Sequence, residues 1–184
     1  MVAVVLSACG GGEGASFAPG SAHTYCGVSV GTQRIIGTVT SVHDGDTLTV
    51  GGESIRLASI DAPELDQAYG PSSRAILAAM VLGQSVTVTY AQKDFYDRVV
   101  GTVFKPDCSQ VNLSQVAAGA AWYYEAYQCD IDIRQRQAYA AAHASARTAK
   151  KGLWATTAVA PWVHRNGVDA KVPDSCPNWD GDLD

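Results

Sequence analysis

Short β-branched runs crowd the chain between Ile35 and Ile60. Ile35-Ile36-Gly37-Thr38-Val39-Thr40-Ser41-Val42 reads as one strand and Thr47 to Val50 as the next. Gly51-Gly52 then turns the chain, so that Glu53 to Ile60 returns beside it. Strands this close in sequence leave no room for a helical crossover and pair with antiparallel neighbours. Two more strands follow. Ser85 to Tyr90 alternates Val86, Val88 and Tyr90 against Ser85, Thr87 and Thr89, and Val99 to Phe104 ends at the Pro106-Asp107 turn. Helical patterns are inserted or appended. Pro71 to Leu82 carries Ile76, Leu77, Met80 and Val81 on one face before Gly83. Asn112 to Ala118 stops at Gly119, and Asp132 to Lys151 has an acid at its start and lysines at its end. This order predicts an α+β fold, a small antiparallel barrel with helices packed on it, and argues against a doubly wound parallel sheet.

With 184 residues the chain suits one domain with a full core. No apolar stretch approaches the ~20 residues of a membrane-spanning helix. The net charge of −5 argues against a tight polyanion binder, but its distribution matters. From Arg34 to Lys151 there are 11 basic and 12 acidic side chains, and much of the acidity lies in Asp174, Asp180, Asp182 and Asp184. A cleft needs only local positive charge. Leu6-Ser7-Ala8-Cys9, followed by Gly10-Gly11-Gly12, resembles a bacterial lipobox, which would make Cys9 a lipidation site. Only eight residues precede it, none basic. The other cysteines, Cys26, Cys108, Cys129 and Cys176, form an even set suited to disulfides in an oxidising compartment.

The residues that carry chemistry lie in a few short segments. Asp44 and Asp46 stand in His43-Asp44-Gly45-Asp46-Thr47, and Asp61 and Glu64 in Ile60-Asp61-Ala62-Pro63-Glu64. Arg56 lies between them, and Arg98 closes Asp94-Phe95-Tyr96-Asp97-Arg98. Carboxylates gathered from two segments are hard oxygen donors of the kind Ca²⁺ selects. Guanidiniums beside them make sense where a phosphate must be held by a planar fork and its developing charge stabilised. A carboxylate near the metal can position or deprotonate water. The alternative for Asp46, Asp61, Glu64, Arg56 and Arg98 is a surface ion-pair network.

Six motifs in order resemble the staphylococcal nuclease (thermonuclease) family: Val42-His43-Asp44-Gly45-Asp46-Thr47; Arg56-Leu57 with Ile60-Asp61-Ala62-Pro63-Glu64; Tyr69-Gly70-Pro71; Asp94-Phe95-Tyr96-Asp97-Arg98; Val111-Asn112 with Gly119-Ala120-Ala121; and Gly152-Leu153-Trp154. The resemblance implies a five-stranded OB-type barrel with about three helices. It implies a Ca²⁺-dependent nuclease acting on DNA and RNA and leaving 3′-phosphates. By position, Asp46 and Asp61 would bind Ca²⁺ through side chains and Ala62 through its carbonyl. Glu64 would orient or deprotonate water, and Arg56 and Arg98 would clamp the phosphate. Tyr96 and Tyr127 are expected to contact substrate. Asp44 reads as a turn former or as a residue just behind the metal ligands. The expected organisation is a signal remnant over 1–9, a tether over 10–33, the nuclease-like domain over 34–155, and a packed extension with an acidic tail over 156–184.

Three positions depart from the family pattern. Phe95 stands where a basic residue is expected, Asp97 where glycine is, and Glu125 in place of an aromatic substrate contact. The rival readings are a non-catalytic OB-type binding module and a surface lipoprotein used in adhesion. His43, His143 and His164 read as surface or capping residues, and no His/Cys spacing suits zinc. Trp154, Pro161 and Trp162 read as packing for the segment after the last long helix. Four cysteines allow three pairings. The preferred one is Cys26–Cys176, tying the flanks together, with Cys108–Cys129. A monomer is expected, exported and touching a membrane only through the Cys9 anchor.

Overall fold

A computed structural model describes residues 23–176. Cys9, most of the expected tether and the Asn178–Asp182 tail lie outside the described residues. Thr24–Tyr25 (β1) and Val28–Ser29 (β2) form a small hairpin. Cys26 and Gly27 both have positive φ there, as a two-residue hairpin turn requires. The tether expected over 10–33 therefore gives way to paired structure within its last residues.

The barrel strands are Gln33–Val42 (β3), Thr47–Val50 (β4), Glu53–Leu57 (β5), Ser85–Lys93 (β7) and Val99–Phe104 (β8), closed in the order β3-β4-β5-β8-β7. Between β5 and β7 come Ile60–Asp61 (β6) and the first helix, Gly70–Val81 (α1). All barrel pairings are antiparallel except β5–β8, which runs parallel with Arg56 opposite Val100. Inward residues alternate with outward ones as the sequence pattern requires: Val39, Leu48, Val50, Ile55, Leu57, Val88, Val99 and Val103 are buried. Burying each such side chain contributes roughly 1.5–3 kcal/mol. The expected α+β class and five-stranded OB-type barrel are what the chain forms.

Val111–Ala117 (α2) packs against both α1 and Ile133–Thr148 (α3), with Leu77, Val81, Val116, Tyr139 and Ala146 turned inward. Asp132 caps α3 by accepting from the Gln135 N–H at 2.8 Å. Trp122–Tyr123 (β9) pairs with β6 and so fixes the strand that carries Asp61. Buried Asn112 stitches α2 to the barrel. Its Oδ1 accepts from the Val103 N–H, and its Nδ2 donates to the carbonyls of Ala58 and Gly101. The Val111-Asn112 motif is thus structural.

Two features differ from expectation. Past a 3-10 turn at Gly152–Ala155 the chain forms a fourth helix, Pro161–Asn166 (α4). Pro161 is buried, and Trp162 sits edge-on to Trp122, which also meets Trp154, so the three residues expected to pack this segment do so. The disulfides are Cys26–Cys108 and Cys129–Cys176, which corrects the preferred pairing. The reason is topological. Tyr25 stacks edge-on against Phe104 and bonds to Thr87, which lays the β1–β2 turn beside the Cys108 turn after β8. Gln128 meanwhile donates to the Pro173 carbonyl, drawing the C-terminal segment to Cys129.

Candidate nuclease site

The loop joining β3 to β4 delivers the first carboxylates. Asp44 Oδ1 accepts from the Asp46 N–H at 3.0 Å, the turn-forming role expected of it. Gly45 is sterically required, because a Cβ there would lie 1.9 Å from Ser73 Oγ on α1. Its carbonyl accepts from buried Gln115 Nε2 of α2 at 2.6 Å. Two helices therefore hold the loop, and Asp46 is carried inward to 5% exposure. There its Oδ2 accepts from the Ala62 N–H at 2.7 Å.

Strand β6 brings Asp61 to the same place, 1% exposed. The chain beyond it is pinned by a second close approach: a Cβ on Gly70 would lie 1.9 Å from the Glu64 carbonyl oxygen. Gln67 closes this turn from both sides, donating its N–H to the Glu64 carbonyl and accepting the Glu64 N–H. The Glu64 side chain stays about one-third exposed, at the edge of the cleft.

Arg56 on β5 spans the two buried acids. Its Nη1 lies 3.1 Å from Asp46 Oδ2 and donates to the carbonyls of Leu57 and Ile60, each at 3.0 Å. Its Nη2 donates to Asp61 Oδ1 at 2.9 Å. Burial pushes the Asp46 carboxyl well above the usual carboxylate range, opposed by Arg56 and reinforced by Asp44 and Asp61. Burial also raises Asp61, against the pull of Arg165 and Arg56. Burial therefore works against the charged form of both acids, and the neighbouring guanidiniums oppose it.

Arg98 reaches the cleft from the Asp94–Arg98 turn, held by Asp94 at 2.8 Å through Nε and 2.7 Å through Nη2. Asp97 takes the left-handed conformation (φ 61°) that the family's glycine would adopt freely. Its carboxylate pairs with Lys93 at 3.3 Å, so the added charge has a partner other than Arg98. Tyr96 stands 76% exposed beneath the Arg98 guanidinium, and Tyr127 is 56% exposed across the opening. Asp46, Asp61, Ala62, Glu64, Arg56, Arg98, Tyr96 and Tyr127 all line one cleft of about 520 Å³. Phe95 is 96% exposed and makes an edge contact to Tyr96.

The sequence reading missed one residue. Arg165 of α4 donates to Asp61 Oδ2 at 2.7 Å and Oδ1 at 3.3 Å, and pairs with Glu64 Oε1. Nothing periodic marks it. The available signal was that it and Lys171 are the two basic residues after Lys151, beside a proline-started helix.

Among the described residues no group of three or more His, Cys, Asp or Glu side chains forms a metal cage by itself. The donors that could serve a cation are two buried carboxylates and the Ala62 carbonyl, all hard oxygens. Oxygen donors of this kind suit a hard cation rather than a soft metal.

A closed OB-type barrel whose strand ends gather buried acids, a partly exposed glutamate and several arginines into one cleft defines a protein of the nuclease class. Comparison with known proteins agrees. The model of the staphylococcal nuclease homologue family matches residues 54–156. An uncharacterized endonuclease of Escherichia coli is 42% identical over 139 residues, covering 72% of this chain and 86% of the relative. A micrococcal nuclease of Shigella flexneri is 34% identical over 142 residues, 70% and 79% of the two chains. An uncharacterized endonuclease of Haemophilus influenzae is 38% identical over 122 residues, 64% and 65% of the two. The chain belongs to the staphylococcal nuclease homologue family.

Proposed function

We propose that this protein is a Ca²⁺-dependent phosphodiester hydrolase that cuts DNA and RNA and leaves 3′-phosphates. The observation that carries the reading is the convergence of Asp46, Asp61, Glu64, Arg56 and Arg98 on one cleft. Asp46, Asp61 and the Ala62 carbonyl would hold the ion, which supplies charge neutralisation for the phosphate. Glu64, with its carboxylate at the cleft edge, orients or deprotonates the attacking water. Arg56 and Arg98 would turn the N–H groups not held by their protein partners to the phosphate oxygens, and Arg98 would assist the leaving oxygen. Tyr96 and Tyr127, exposed on either side, offer faces for sequence-tolerant base stacking. The cleft lining holds six carboxylates and three arginines, so a bound cation would be needed to balance it before a polyanion is drawn in, which suits turnover rather than tight retention.

In this reading the enzyme works as a monomer outside the cytoplasm, anchored through lipidated Cys9 or released. Two disulfides support an oxidising compartment. No helix among the described residues is long and apolar enough to cross a membrane. The test is cleavage of single-stranded DNA and RNA by purified protein, with Ca²⁺ and with excess chelator, followed by end-group analysis. Calcium-dependent loss of both substrates with 3′-phosphate ends is expected. Full activity in chelator, or no cleavage in Ca²⁺, overturns the proposal.

A further inference from the structure

Of the three guanidiniums in the cleft, two are heavily committed to the protein. Arg56 is 18% exposed and bonds to two carbonyls and two carboxylates, and Arg98 is 32% exposed with two nitrogens on Asp94. Arg165 is 39% exposed, the most open of the three. It reaches the cleft from outside the stretch that matches the family, since it follows residue 156. Its partners are Asp61 and Glu64, the groups assigned above to the ion and to the water.

We propose that Arg165 is a further substrate-binding residue, a phosphate-gripping guanidinium that rests on Asp61 and Glu64 until a divalent cation takes its place there. The inference rests on the nuclease reading above. Asp61 is 1% exposed and needs a counter-charge, which the Arg165 guanidinium supplies at 2.7 Å. A divalent ion at the same oxygens makes Arg165 redundant and repels it. A displaced guanidinium in an acid-lined cleft finds its best partner in the phosphate that the cleft is built to receive.

The strap that carries Arg165 is built for this reach. Leu153 is fully buried and donates its N–H to the Gly119 carbonyl, fixing one end. The Cys129–Cys176 disulfide fixes the other. Between them Trp162 packs on Trp122 and Tyr124, its Nε1 donates to Asp169 at 2.8 Å, and Gln67 donates to the Val159 carbonyl. The helix stays docked while a long side chain at its last turn swings between carboxylates and phosphate. Losing Arg165 alone leaves these anchors in place.

The test compares wild type, Arg165→Gln and Arg165→Lys, with thermal unfolding to confirm that each is folded. Calcium affinity is read by titration calorimetry without substrate. Binding of a phosphorothioate-linked single-stranded oligonucleotide, which resists cleavage, is then read in saturating Ca²⁺. Arg165→Gln should bind Ca²⁺ tighter by roughly twofold to fivefold, the upper part of the range a partly exposed ion pair spans. It should bind the oligonucleotide about tenfold weaker, as loss of one charge-assisted hydrogen bond implies. Arg165→Lys should recover most of the calcium effect and part of the oligonucleotide effect, since it keeps charge but not the fork. Tighter calcium with unchanged oligonucleotide binding overturns the proposal and leaves Arg165 as a plug. Unchanged or weaker calcium binding also overturns it, since Arg165 then does not contend for those oxygens. Wild-type protein that binds neither probe would instead sink the nuclease reading itself, and this inference with it.

Discussion

Arg56→Ala tests the view that one guanidinium keeps two buried acids apart. Asp46 and Asp61 are 5% and 1% exposed, and Arg56 contacts both while filling two backbone carbonyls. Removing one member of a buried ion pair costs ~3–5 kcal/mol. Two features favour the low end. Arg165 still neutralises Asp61, and Asp46, already raised by burial, takes up a proton more readily once Arg56 is gone. A loss of about 3 kcal/mol lowers Tm by roughly 6–12 °C for a domain of this size. Calorimetry in chelator should show that drop. Adding Asp46→Asn should return at least half of it, because the second change removes the stranded charge. Ca²⁺ should stabilise the single variant by mass action. At temperatures where the variant is folded, kcat should still fall by on the order of 10²–10³. A Tm within about 2 °C of wild type, or no recovery in the double variant, would refute the counter-ion role.

Three shorter predictions accompany it. Glu64→Gln should reduce turnover by at least about a hundredfold while Tm stays close to wild type, because Glu64 is a partly exposed group with little to lose on neutralisation; wild-type turnover removes it from the mechanism. Peptide mapping of unreduced protein should recover Cys26–Cys108 and Cys129–Cys176, and reduction should destabilise by about 4 kcal/mol per bridge at these loop lengths; a Cys26–Cys176 peptide would refute the pairing. His143 lies half-buried against Trp154 with Nε2 unpartnered among the described residues, and burial, aided by Arg147, holds its pKa below the ordinary value. The unfolded chain therefore binds the extra proton first, so stability falls as pH drops from about 6.5 toward the lower folded value. Denaturant titrations of wild type and His143→Gln should show that slope flattened in the variant.

The charged positions of the cleft were legible because each sits in a short motif whose spacing is set by local geometry. Asp44-Gly45-Asp46 requires its glycine against Ser73, and Gly70 requires its against Glu64. Barrel strands were readable from β-branched alternation, with β7 running on to Lys93 past the expected Tyr90. Arg165 was not legible, because it meets Glu64 across 101 residues through a six-residue helix with no hydrophobic period. The disulfides show a similar limit. Tying the two flanks together was reasonable from sequence spacing, yet β8 ends beside the N-terminal hairpin, which Tyr25 holds there through Phe104 and Thr87. The hairpin itself was within reach, since Tyr25-Cys26-Gly27-Val28 carries a turn signal that the small-residue composition upstream obscured.

The Cys129–Cys176 bridge turns the end of the chain into a covalent ring containing α3, the Gly152–Ala155 turn and the whole strap. A protease that nicks the exposed stretch around Val168 opens the ring without releasing a fragment. Arg165 then stays joined to α3 through the main chain, while the bridge holds the piece beyond the cut against the rest of the molecule. Single proteolytic hits to this segment should leave a nicked molecule of unchanged mass apart from one water, separable into two pieces only after a reductant is added.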